Sequence, residues 1–400
     1  MTSRTPLLHS SLTQPLNRLP TVFRPKTIGR NDRCWCGSEK KFKLCHDGRE
    51  HMPPFNIHQA AAHYIKELQR RYCSHANAAG QPCGGQIVRA HTVQKSGGLE
   101  AIARDSRVYS LITTMPEMEK NQGRLVPRLV GIGQASVFPG FCAEHDRDLF
   151  RPIEGKDCTI CLAEALLFSY RAVCFEAYLK RAQLAASDIL FRLDEGAPVE
   201  HQELAQNMAR NVQHSARRAA AATHARKEAY GALLSAQNFT GFSYSWTRFD
   251  ELLPVACCGT FLPDNDLAGT LLQRIAHGSQ AFEHVALNIT SFAGQSVIVF
   301  GWTGTDDGPA ARFVQSFDAL DDQLKAAATT RLALEYLENS YISPAWWETL
   351  PESYRRGLIS HDAARGVYQR PPAISRALGR PIASLTASVI AKGGQAADAI

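Results

Sequence analysis

Apolar spacing divides the chain into a helical middle and a strand-rich second half. Near residue 60, Ala62, Ile65, Leu68 and Tyr72 recur at helical spacing and predict a helix over His58–Arg71. From Cys161 onward, Leu162, Ala165, Leu166, Tyr170, Val173, Cys174, Ala177 and Tyr178 form one apolar stripe and predict a second helix. A third, rich in Ala, Arg, His and Gln, is predicted over Val199–Gln237, and an antiparallel pair is the simplest packing for the last two. At Asn238 the pattern changes. Strand-like runs at Phe242–Trp246, Leu253–Phe261, His284–Thr290 and Ser296–Trp302 are separated by Gly, Asp and Asn, and helical pattern returns over Ala310–Glu338. Cys73–Cys158 reads as loop-rich, with turns at Gly84-Gly85 and Gly97-Gly98 and a strand at Gln86–Val93.

Composition adds few constraints. The chain has 400 residues, 44% hydrophobic and 20% charged, which suits a globular protein of two or three packed units. No run approaches the roughly 18 apolar residues of a membrane span. Charge is more informative. Residues 1–50 carry ten Lys/Arg against four Asp/Glu, and the basic excess lies within the first 150 residues, as an anionic partner would favour. Eleven cysteines are too few for a disulfide scaffold, and several stand beside histidine at metal-ligand spacing. This usage fits a reducing compartment, so the expected location is the cytoplasm.

The sharpest motif runs from Gly29 to His46, with Cys34, Cys36, Cys45 and His46 in a Cys-x-Cys, eight-residue, Cys-His frame. Three thiolates and an imidazole complete a tetrahedral Zn2+ and leave no open position, which makes the site structural. Metal binding then supplies the folding free energy that so short a segment lacks. Lys40, Lys41 and Lys43 flank the thiolates and offset their charge. The segment resembles the SEC-C motif, a zinc module found at the carboxy terminus of the bacterial preprotein translocase motor and in other bacterial proteins. Gly29, Arg30, Asn31, the four ligands, Gly37, Ser38, Lys40, Lys41 and Phe42 carry the resemblance, while Trp35 and Glu39 depart from the usual pattern. In the translocase such a module contacts a chaperone and the ribosome. The resemblance therefore implies a recognition surface, with a protein partner as one option.

A second set is Cys73, Cys83, Cys142 and His145, with His75 and His91 as candidate substitutes, and a Cys-x-x-His step at 142–145 turns both side chains toward one metal. The order of a cysteine pair, a strand bearing His91, a Ser-Gly-Gly turn and a helix-start ligand pair resembles the treble-clef arrangement of zinc-containing HNH nucleases. That resemblance implies His91 as general base, a Mg2+ or Mn2+ ion at the phosphodiester, and His145 and Asp146 at the helix-ligand positions. It also suggests defence against foreign DNA. Ala90 stands where an aspartate is common, nine residues separate Cys73 from Cys83, and the middle asparagine has no counterpart. For Cys158-x-x-Cys161 core packing, metal and redox readings stay open, whereas Cys257-Cys258 reads as core and Trp346-Trp347 as a domain cap.

The expected fold class is α+β: small zinc-stabilised modules at the amino terminus, a helical pair, then a small mostly antiparallel sheet packed with helices. The expected segments are a flexible basic tail (1–28), a SEC-C module (29–50), a treble-clef, HNH-like region (51–160), the helical pair (161–237), an α+β domain (238–348) and a poorly ordered tail (349–400). The expected function is a bacterial zinc-binding recognition or scaffold protein that docks on nucleic acid or a ribonucleoprotein, without a membrane. The alternative is the His91-dependent nuclease.

Overall fold

Strands with apolar residues on both faces need cover on both faces, and the second half of the chain provides it. In this computed structural model, which describes residues 19–75, 83–112, 120–121, 126–155, 158–274, 282–363 and 385–395, one antiparallel sheet of eight strands organises that half. Its strands are β2 (Arg107–Ser110), β3 (Arg128–Gly131), β5 (Phe242–Phe249), β6 (Val255–Phe261), β7 (Val285–Phe292), β8 (Gln295–Thr303), β9 (Ser340–Ile342) and β10 (Val389–Gln395), in the order β10-β5-β8-β7-β6-β9-β2-β3. A separate two-stranded ladder joins β1 (Ile87–His91) to β4 (Val137–Cys142).

Period-2 alternation sorts the sheet residues between two cores. Val255, Cys257, Leu287, Ile289, Ile298 and Phe300 face one core, which also holds Phe313 and Phe317 of α5 (Pro309–Asp318) and Leu332 of α6 (Asp322–Tyr336). Ala256, Cys258, Ala286 and Tyr341 face the other, with Val93, Leu99, Val108 and Ala172. Cys257 and Cys258 are thus core residues, as expected. Trp347 is buried in the first core and Trp346 packs against it. The remaining helices of more than one turn are α1 (Ile57–Glu67), α2 (Ala143–Phe150), α3 (Leu162–Ser187), α4 (Val199–Ala236) and α7 (Glu352–Ala363).

The α+β class and the antiparallel sheet stand as expected, but the sheet is not small. It recruits β2 and β3 from the region read as loops, because Arg107–Ser110 pairs with Tyr341 and Ile342 of β9. It also recruits Val389–Gln395 from the expected disordered tail, paired along β5. Residues 364–384 and 396–400 of that tail lie outside the described residues. The expected amino-terminal tail is described only in part. Residues 1–18 lie outside the described residues, but Val22 exchanges two backbone–amide hydrogen bonds with Asn207, each of 2.9 Å, and the Arg24 N–H donates to Glu203 at 3.1 Å. These bonds hold Val22 and Arg24 along α4.

The chain divides into two compact units: Met1–Arg70 with Leu179–Ala222 and Ala276–Gly278, and Arg71–Tyr178 with Thr223–Ile275 and Ser279–Ile400. Their limits fall inside the segments drawn from sequence, with α3 and α4 each contributing residues to both. Among the described residues, no helix is long and apolar enough to cross a membrane.

Candidate metal centres

The first unit contains the Gly29–His46 segment, which has almost no regular structure. The Cys34 N–H donates to the Lys40 carbonyl at 2.8 Å and the Phe42 N–H to the Asp32 carbonyl at 2.8 Å, closing a tight loop with one 3-10 turn at Phe42–Leu44. Cys34, Trp35, Cys36 and Phe42 are its only fully buried apolar residues, with Val22 and Ile28 packed alongside. The loop brings four donor atoms together: Cys34 Sγ to His46 Nδ1 is 3.2 Å, Cys45 Sγ to His46 Nδ1 is 3.2 Å, and Cys36 Sγ to Cys45 Sγ is 3.6 Å. A tetrahedral Zn2+ with bonds of about 2.0–2.3 Å requires edges of roughly 3.4–3.8 Å between its ligands. The sulfur–sulfur edge falls in that range and the two sulfur–nitrogen edges are slightly shorter; the donor set suits zinc, and the cluster could hold it.

Several residues outside the motif surround this cluster. His46 Nε2 donates to Asp194 Oδ2 at 2.9 Å, Arg49 Nε to Asp194 Oδ1 at 2.6 Å, and Gln206 Nε2 to Asp194 Oδ2 at 3.0 Å. Arg210 Nη1 donates to the Cys36 carbonyl at 3.0 Å. Sequence reading missed Asp194, Gln206 and Arg210 because they lie more than 140 residues downstream, in a turn and a helix with no ligand-like spacing.

The second unit contains the other cluster. The antiparallel β1–β4 ladder leads directly into α2, whose N-cap is Cys142. This ββα arrangement puts Cys142 and His145 on the first turn of a helix, one step apart on the same face. Cys73 Sγ lies 3.4 Å from His145 Nδ1, Cys142 Sγ 3.3 Å from the same nitrogen, and Cys83 Sγ 3.5 Å from Cys142 Sγ. These edges lie close to the short end of the same range, and this cluster too could hold zinc. Three backbone amides point at the sulfurs: Gly85 to Cys83 at 3.4 Å, His145 to Cys142 at 3.4 Å, and Cys142 to Cys73 at 3.5 Å. Such bonds favour thiolate over thiol; the Gly85 amide lowers the Cys83 pKa. An added Cβ at Gly85 would fall 2.8 Å from Cys142 Cβ, so only glycine fits this approach.

The two proposed substitutes stay outside the cluster. The His75 ring packs edge-on against His145 with centroids 4.5 Å apart, and its Nδ1 lies 3.4 Å from the Tyr170 hydroxyl. His91 ends β1 and donates from Nε2 to the Ile132 carbonyl at 3.1 Å; burial, opposed by that bond, lowers its pKa. Just beyond it, a buried network fixes the chain. The Thr92 N–H donates to the Ser136 carbonyl at 2.8 Å, and Asn339 Nδ2 donates to Thr92 Oγ1 at 2.8 Å and to the Cys258 carbonyl at 2.7 Å.

Asp146 is half-buried on α2, and burial raises its pKa. Nearby Arg171 is 1% exposed, pairs with Glu154 at 2.7 Å, and lies over the Phe150 ring at 4.1 Å. Cys158 is buried and Cys161 exposed, and neither joins a metal-binding group among the described residues. Burial pushes the Cys158 thiol up to about 11, which favours the core reading.

With this geometry established, comparison with protein families finds the SEC-C motif over residues 30–46. Comparison with curated proteins and with solved structures finds no match.

Proposed function

We propose that this chain is a zinc-stabilised recognition protein of the bacterial cytoplasm whose basic first module docks on nucleic acid, free or within a ribonucleoprotein. The observation that carries the reading is the lysine face of a closed site. Three thiols and one imidazole leave a bound Zn2+ no position for substrate, so the module offers surface rather than chemistry. On that surface Lys40, Lys41 and Lys43 are exposed, and among the described residues no carboxylate pairs with them. Arg33 is paired with Glu39 and Arg30 with Asp47, which leaves the lysines as the free cations of the motif.

Each lysine–phosphate contact releases about one counterion, so a docking of this kind weakens steeply with salt. Anisotropy titrations of a labelled duplex and a structured RNA over a range of salt test it. The variant with Lys40, Lys41 and Lys43 all changed to Gln should flatten the logarithmic salt slope by about 2–3. No binding at low salt, or an unchanged slope in the variant, would contradict the reading and favour a protein partner.

One observation favours a second reading, a metal-dependent nuclease of the HNH type. The Ile132 carbonyl accepts from His91 Nε2, and this fixes the tautomer in which Nδ1 is the basic nitrogen, as a general base requires. A Mg2+ or Mn2+ ion would supply charge stabilisation at the phosphate. Against this, Ala90 is buried beside His91 and offers no cation ligand. Under this reading, His91→Ala abolishes metal-dependent cleavage of DNA while zinc content is retained. Equal cleavage in that variant would eliminate His91 as the base.

A further inference from the structure

The SEC-C motif supplies four ligands, but the site that folds around them is larger. His46 uses Nδ1 toward the thiols and Nε2 toward Asp194, whose carboxylate is fully buried 148 residues downstream. We infer that Asp194 belongs to the first metal centre as the outer partner of His46, holding the imidazole in the tautomer and orientation that present Nδ1 to the metal.

The geometry leaves this carboxylate little freedom. Arg49 holds one oxygen at 2.6 Å and Gln206 shares the other at 3.0 Å, so Oδ2 is aimed at the imidazole before metal arrives. The carboxylate accepts the Nε2 proton, which leaves the Nδ1 lone pair facing the three sulfurs. A partner of this kind raises the basicity of the ligand nitrogen and removes the entropic cost of ring rotation. Arg49 offsets the negative charge added beside the thiolates and is itself fixed by the Cys45 carbonyl at 3.3 Å and by the Phe191 carbonyl.

Backbone bonds also tie the segment that follows the motif to the turn before α4. The Gly196 N–H donates to the Arg49 carbonyl at 3.0 Å, and the Phe55 N–H donates to the Glu195 carbonyl at 3.3 Å. Gly196 has φ +69° and sits so close that a Cβ would lie 2.7 Å from the Met52 carbonyl oxygen. In this account the metal centre is assembled from both ends of the first unit and is not a detachable finger. This holds whatever the lysine face docks on.

The test is zinc release from the full-length protein to a metallochromic chelator, with the Cys73–His145 cluster as internal reference. Asp194→Ala should weaken one of the two zincs by about 10–100-fold and leave the other unchanged. Asp194→Asn, whose amide oxygen still accepts from Nε2, should fall between. Gln206→Ala removes one hydrogen bond to the carboxylate but keeps the His46 bond, and should weaken that zinc clearly less than Asp194→Ala. Two results would overturn the assignment: Asp194→Ala holding both zincs as tightly as wild type, or Gln206→Ala losing as much as Asp194→Ala, which would reduce Asp194 to a packing residue. If Asp194→Ala does not fold, the near-isosteric Asp194→Asn decides alone, and unchanged release from it would reject the role.

Discussion

The two Cys3His clusters share a donor set and differ in what surrounds them. The first has Trp35 and Phe42 for a core, a single 3-10 turn for secondary structure, and hydrogen bonds from a distant helix and turn. The second stands at the end of a ladder and the start of a helix, in a unit whose sheet buries Leu287, Ile289, Ile298 and Phe300 against two helices. A segment of about twenty residues buries little apolar surface of its own, so there a bound metal would carry much of the folding. In the second unit the sheet folds on its own core, and a metal would fix only where Cys73, Cys83 and α2 meet.

The difference can be broken most sharply at a ligand of the first cluster. Cys45→Ser should remove a binding free energy on the order of 10 kcal/mol or more, far beyond what the module's own contacts supply. Hydrogen exchange should then show the Cys34, Phe42 and His46 amides unprotected, while β7 and β8 keep full protection. Protection persisting over residues 30–46 would show that the module has a stability not visible in its contacts.

A smaller effect is expected at Gly85. Its replacement by Ala forces a Cβ against Cys142 and should cost about 1–3 kcal/mol, read as easier release of one zinc with the first cluster untouched. Gly84→Ala makes the matching control. Nothing lies within 4 Å of its Cβ position, and the change should stay within about 0.5 kcal/mol. Equal effects at the two glycines would remove the packing argument for Gly85.

The second cluster was legible as residues before it was legible as geometry. Cys142 and His145 announce themselves by helical spacing, but Cys73 and Cys83 reach the site through loop geometry that no periodicity encodes. The long elements were equally plain: the apolar runs at 285–292 and 295–303 and the helix at 199–236 fall where the pattern predicts. What the pattern lacks is short and non-local. β2, β3 and β9 have three or four residues each, too few for alternation to register, and acquire strand conformation by pairing with one another. β10, with its Gly393-Gly394 pair, reads as a breaker and becomes an edge strand because its glycines pass close to Trp246 and Tyr244. Asp194, an acidic residue in a turn, carries no signal at all until the fold brings it to His46.

Each unit has one cluster that could hold zinc, and the account proposes that both do and that the two metals are lost independently. The most direct measurement is metal content per chain by elemental analysis of wild type, Cys45→Ser and Cys142→Ser. The account predicts two zincs in wild type and one in each variant, with the sheet of the second unit still folded in both. One zinc in both wild type and Cys142→Ser would leave only the SEC-C site and contradict the second centre.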